Sequence, residues 1–163
     1  MLDDQIRLEK PLLITSGQKE EYLEDGAVLI ESIVSETWLK KIRRASDEII
    51  ERSRKIEESN SQYILEEGHS KNNPRLKRLS SPVDHHSTFW DFISNEISSQ
   101  LAADVVGPNV KYHHSKLNYK WANGGTKFDW HQDIQSWPHT DYSPVTLAFF
   151  LNDCTSNQGP LLT

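Results

Sequence analysis

The chain changes its hydrophobic period at Gly107-Pro108. Before that pair, apolar residues recur at spacings of three and four, as on one face of a helix; after it they alternate, as on a strand. Helices first and strands second predict an α+β fold rather than an alternating α/β one. The clearest helix runs from Ser35 to about Ile56, where Trp38, Ile42, Ala45 and Ile49 form one apolar stripe. Ser35 offers the N-cap, Glu36 suits the positive end of the helix, and Val34 can staple against Leu39. A shorter helix is predicted from Ser16 to Glu24, with Ser16 as its cap and Gly26 just beyond it. Ser87 to Val106 reads as helix in one or two pieces around Ser94-Asn95, burying Phe89, Trp90, Phe92, Ile93, Ile97 and Leu101. Ala27 to Ile30 is a brief strand candidate, and residues 59–86 read as a polar loop. That loop carries His69 and the adjacent pair His85-His86, and the pair is read as solvent-exposed rather than metal-bound.

Past Pro108, residues Val110, Tyr112, His114 and Lys116 alternate with Lys111, His113 and Ser115, and the pattern runs on to Lys120. Asn123-Gly124-Gly125 signals a turn, Thr126 to Asp133 the next strand, and Pro144 to Asn152 an apolar strand. In an extended segment residues i and i+2 project from the same side. His131 and Asp133 therefore present an imidazole nitrogen and a carboxylate oxygen to one point. Those are two members of the 2-His-1-carboxylate triad that holds non-haem Fe(II) with open positions. The same spacing equally describes a hydrogen-bonded His-Asp pair on a surface strand, and spacing alone does not choose between them.

Composition removes other classes. At 163 residues the chain fits one domain, with residues 1–107 mainly helical and 108–163 supplying the first strands. Its net charge of -6 argues against a nucleic-acid footprint. Cys154 is the single cysteine, which excludes an intrachain disulfide and a cysteine-rich zinc site. No His-Glu-x-x-His spacing marks a zinc hydrolase. The acidic start Met1-Leu2-Asp3-Asp4 does not resemble a signal peptide, and no apolar run is long enough for a membrane span. The expectation is a cytoplasmic protein without nucleic-acid or membrane partners; oligomeric state is not legible.

Several segments taken together resemble the phytanoyl-CoA dioxygenase family of Fe(II)/2-oxoglutarate oxygenases. They are Asn118-Tyr119-Lys120, Gly124-Gly125, Trp130-His131-Gln132-Asp133, Trp137 and Asn157-Gln158-Gly159-Pro160-Leu161. The spacing is most similar to the ectoine-hydroxylase branch, over roughly residues 108–162. The resemblance implies helices packed on a double-stranded β-helix, a cupin-like jelly roll. It implies His131 and Asp133 as Fe(II) ligands, with 2-oxoglutarate and O₂ as co-substrates. Lys120 and Asn118 would contact 2-oxoglutarate, a dianion that a cation in a partly dry pocket suits. Trp137 would line the co-substrate or substrate pocket, or simply fill core. His114 stands where that branch carries a substrate-facing Gln, which argues against ectoine itself as the substrate.

The implied reaction hydroxylates an unactivated C–H bond of a small-molecule substrate and releases succinate and CO₂. The family pattern continues into a distal His and an anchoring Arg. On this expectation the chain reads as an N-terminal fragment, its jelly roll incomplete and its isolated activity absent. His114 and His139 are the alternatives within the chain for a third ligand. The competing function is a non-catalytic binding protein that reuses the fold.

Overall fold

The computed structural model describes residues 8–122, 125, 127–136 and 143–162. Helix α1, Ser16–Asp25, begins at Ser16 itself, and its cap lies one residue before the predicted one. Thr15 is the N-cap because Thr15-Ser16-Gly17-Gln18 is a capping box: Thr15 Oγ1 accepts from the Gln18 N–H at 3.1 Å, and Gln18 Oε1 accepts from the Thr15 N–H at 2.9 Å. Gly26 ends the helix in the left-handed region, at φ 79°. Helix α2, Glu36–Ser53, is capped by Ser35, whose Oγ accepts from the Trp38 N–H at 3.3 Å. Its Ile42, Ala45 and Ile49 are buried as the stripe predicts, and Trp38 packs partly buried against the same core.

The segment read as a polar loop holds a hairpin. Strands β1, Tyr63–Leu65, and β2, Leu76–Ser80, pair antiparallel, and their register shifts between Ile64 and Leu65, with Lys77 as the extra residue on β2. The shift turns Leu76 and Leu79, three apart, to the same interior, so period-two alternation is absent from the sequence there. His69 is built into the hairpin: its Nδ1 accepts from the Arg75 N–H at 2.8 Å, so Nε2 carries the proton and donates to the Ile56 carbonyl at 3.0 Å. His85 and His86 are half-buried rather than exposed. His86 Nδ1 caps helix α3, Ser87–Ile93, by accepting from the Thr88 N–H, and its Nε2 lies 3.3 Å from Glu48 Oε2.

The helical stretch does break at Ser94-Asn95, where Asn95 caps α4, Glu96–Val106. Of the residues expected inside, Phe89, Phe92 and Leu101 are buried, but Trp90 is exposed and meets Tyr112 edge-on. Strand β3, Lys116–Asn118, completes an antiparallel sheet in the order β1-β2-β3.

Two predicted strands have no ladder among the described residues. Residues 127–132 are irregular and lead into a 3₁₀ turn, Asp133–Ser136. In the segment 145–151 burial does alternate: Val145, Leu147, Phe149 and Leu151 pack on the core while Thr146, Ala148 and Phe150 face outward. Alternation records which face is buried; a strand also needs a hydrogen-bonded neighbour. Ala27 to Ile30 is likewise irregular. The observed class among the described residues is mixed α+β. No helix among them is long and apolar enough to cross a membrane.

Two apolar clusters hold these elements. One joins α2, the hairpin and α3 through Ile49, Leu76, Leu79, Phe89 and Phe92; the other joins Ile14 to Leu101 and Val105. Phe149 packs against both and meets Phe92 edge-on at 4.8 Å. The second cluster has a polar clamp. Asp104, buried on α4, accepts backbone N–H groups of Leu12 at 2.7 Å, Leu13 at 2.8 Å and Ile14 at 3.0 Å. Removing an acceptor from buried donors costs more than the bond contributed. Asp104→Ala is expected to lower stability by about 2–3 kcal/mol, read as an earlier denaturant midpoint. Residues 12–14 should become the first site of proteolytic nicking.

Candidate active site

Period-two alternation along β3 sorts its side chains. Leu117 and Tyr119 turn to the core, and Trp121 follows them, its Nε1 donating to the Leu76 carbonyl at 2.7 Å. Lys116, Asn118 and Lys120 therefore share the opposite face. The Tyr119 N–H donates to the Lys77 carbonyl at 3.0 Å, carrying the β2–β3 pairing one rung past the strand.

The His131–Asp133 pair meets this face. His131 Nδ1 is 2.7 Å from the Asp129 carbonyl oxygen, which can only accept, so Nδ1 carries a proton. In the neutral imidazole Nε2 then presents a lone pair, 3.2 Å from Asp133 Oδ1. An imidazole nitrogen and a carboxylate oxygen at that separation are joined either by a proton on Nε2 or by a cation that both ligate. Two ligands each about 2.1 Å from a first-row metal and roughly 90–100° apart stand ~3 Å from each other. The pair thus fits two adjacent positions of a divalent metal, and the Asp129 carbonyl orients the imidazole as carbonyls commonly do for ligating histidines. Among the described residues no group of three or more His, Cys, Asp and Glu side chains gathers to hold an ion.

Lys116 and Asp133 form a second contact at the same point. The ammonium lies 3.2 Å from both carboxylate oxygens, half-buried on each side. Lys116 was not singled out from the sequence, although its spacing from Asn118 and Lys120 places all three on one strand face.

Lys120 is exposed and runs past small and aromatic neighbours. Its Nζ is 5.8 Å from the centre of the Phe128 ring, within cation–π range. A Cβ on Gly159, which has φ +67°, would stand 3.0 Å from that Nζ, and one on Gly125 would stand 3.6 Å from Lys120 Cδ. Gly159 belongs to the Asn157-to-Leu161 motif, so the fold brings that turn onto the lysine. Asn118 accepts at Oδ1 from Arg78 Nε, 3.1 Å away. Arg78 lies in the segment read as a loop, and nothing in the sequence pointed to it.

His114 is exposed, and its Nδ1 is 2.7 Å from Nδ1 of His113. Trp137 and His139 lie outside the described residues, as do Asn123 and Gly124 of the predicted turn.

Behind β3, Tyr119 reaches α2: the Ser46 hydroxyl donates to its phenolic oxygen at 3.2 Å. Burial pushes the Tyr119 phenol well above its ordinary value, an effect the Ser46 contact only partly offsets. The folded chain then holds the proton after the unfolded chain has released it, so stability is full below about pH 10 and falls as pH rises beyond it. Tyr119→Phe is expected to flatten that alkaline loss in denaturation curves taken between neutral and high pH. At neutral pH the same change should cost about 0.5–1.5 kcal/mol for the lost hydrogen bonding.

Comparison with known proteins bears on this arrangement. A family model described as phytanoyl-CoA dioxygenase (PhyH) matches residues 22–163. The chain is 28% identical over 144 residues to a probable alpha-ketoglutarate-dependent hypophosphite dioxygenase of Stutzerimonas stutzeri, covering 88% of this chain and 50% of that protein. It is 28% identical over 147 residues to the L-proline trans-4-hydroxylase of Streptomyces griseoviridis, covering 88% and 51%. To the ectoine dioxygenase of Sphingopyxis alaskensis it is 24% identical over 162 residues, covering 91% and 48%. The chain spans about half the length of these curated relatives.

Proposed function

The chain belongs to the phytanoyl-CoA dioxygenase family, and from that membership we propose that it contributes to a 2-oxoglutarate-dependent dioxygenase that hydroxylates an unactivated C–H bond of a small molecule. The names of its relatives, which include an alpha-ketoglutarate-dependent dioxygenase and a hydroxylase, support this reading. The observation that carries it is the His131–Asp133 geometry: Nδ1 stands 2.7 Å from the Asp129 carbonyl oxygen and Nε2 3.2 Å from Asp133 Oδ1.

His131 and Asp133 are the two Fe(II) ligands of this chain in the proposal. When bound, the iron supplies the coupling of O₂ and 2-oxoglutarate to hydroxylation, with succinate and CO₂ as co-products. The protein's own part is orientation and charge. The Asp129 carbonyl keeps the His131 ring from rotating, and Lys116 holds both oxygens of Asp133. Lys120, Asn118 and Trp137 take the co-substrate: the Lys120 ammonium, beside Gly159 and the Phe128 ring, meets the dianion with its positive charge. His114 and Trp137 face the substrate. Residues 1–163 act as one domain in this reading. Its helices, in 1–107, pack on a jelly roll to which 108–163 contribute.

The test, made on the protein as its source produces it, is succinate formation from 2-oxoglutarate with Fe(II), O₂ and candidate substrates drawn from the relatives: L-proline, ectoine and hypophosphite. The reading expects iron-dependent succinate that a chelator abolishes, with ectoine a poor substrate because His114 replaces the Gln. Substrate-independent succinate that survives the chelator contradicts it. Iron binding without turnover on any substrate favours a binding protein.

A further inference from the structure

Arg78 stands directly opposite Asn118 in the β2–β3 register, so the two side chains share the face that also carries Lys116 and Lys120. Its Nε is 3.1 Å from Asn118 Oδ1. A guanidinium has only donors, so the amide oxygen must face it whichever way the amide is drawn. The NH₂ group of Asn118 is then the part left to meet a ligand. Arg78 is itself held: its guanidinium carbon is 5.7 Å from the centre of the Phe128 ring, the ring that Lys120 Nζ approaches at 5.8 Å. One aromatic platform thereby fixes both the arginine behind Asn118 and the lysine beside it.

We propose that Arg78 is a positioning residue for an anionic co-substrate, locking the Asn118 amide so that only its NH₂ donors are presented to a carboxylate. The proposal rests on the reading of Lys120 and Asn118 as the 2-oxoglutarate contacts. Without the lock, the amide can rotate and turn its oxygen toward the incoming carboxylate, which repels it. Arg78 acts through Asn118 and supplies no atom to the reaction.

The experiment uses the protein as its source produces it, loaded with Co(II), with 2-oxoglutarate binding followed by calorimetry. Arg78→Met keeps the aliphatic stem against Phe128 and removes every donor. It is expected to weaken 2-oxoglutarate binding about 10-fold, the loss of one hydrogen bond to a charged group. Asn118→Ala should weaken it by a similar factor, and the double variant no further than Asn118→Ala alone. Affinity for Co(II) should stay unchanged in all three. Additive losses, or no loss in Arg78→Met, overturn the proposal while leaving the co-substrate reading intact. A wild-type chain that binds Co(II) but not 2-oxoglutarate overturns both. An independent readout needs no ligand: the Asn118 side-chain NH₂ resonances should shift in Arg78→Met, and unshifted resonances overturn the lock.

Discussion

Asp133→Ala is expected to lower the affinity of the chain for Fe(II) by about 100-fold or more, given that losing even an outer partner of a metal ligand costs 10–100-fold. The folding transition should scarcely move. Asp133 lies outside both apolar clusters, and its contacts are a half-buried lysine and a half-exposed histidine. Ion pairs in such surroundings contribute about 0–1 kcal/mol, because water screens them and ordering two side chains costs entropy. Metal affinity and stability should therefore separate cleanly at this residue. An anaerobic titration alongside a denaturant curve measures both. His131→Ala should reproduce the pattern, since the imidazole is likewise a surface group held by one backbone carbonyl.

Leu79→Ala should show the reverse, a large loss of stability. Leu79 is fully buried in the middle strand, opposite Tyr63 on β1 and Leu117 on β3. Truncation removes three carbons from a site walled on both sides by sheet, which can collapse little, so the cost is about 2–5 kcal/mol. The neighbouring residues make the loss relevant to the site. Arg78 and Ser80 flank Leu79, and they pair with Asn118 and Lys116. A variant stable enough to study should keep metal affinity, because His131 and Asp133 are carried by another segment. Its affinity for 2-oxoglutarate should weaken as the β2–β3 register loosens.

The contrast between these two residues explains how much the sequence disclosed. The α2 stripe was legible because a regular helix repeats one geometry, and Ile42, Ala45 and Ile49 fall on it without exception. The α3–α4 break was legible because Asn95 caps locally. The hairpin was hidden: the register shift at Lys77 replaces alternation with a three-residue spacing between Leu76 and Leu79. Thr15, rather than Ser16, is legible as the cap from Gln18 three residues on, which closes a capping box. At the site, His131 and Asp133 were legible as a local i, i+2 pair. Arg78, and the approach of Gly159 to Lys120, were not, since each depends on a residue about forty positions away, and only pairing of distant segments creates that contact. The 145–151 segment shows the limit from the other side: its apolar residues alternate in burial, but a ladder depends on a neighbour that pattern cannot supply.

The central claim is that His131 offers Nε2 to a metal shared with Asp133 while Nδ1 keeps its proton for the Asp129 carbonyl. Nitrogen NMR of the histidine rings during a Zn(II) titration, with zinc as a diamagnetic stand-in for Fe(II), tests it most directly. The account predicts that the His131 Nε2 resonance moves to the metal-bound position, Nδ1 stays protonated, and Asp133→Ala abolishes the change. A His131 ring that is unaffected while other histidines take the metal, or one bound through Nδ1, would contradict it.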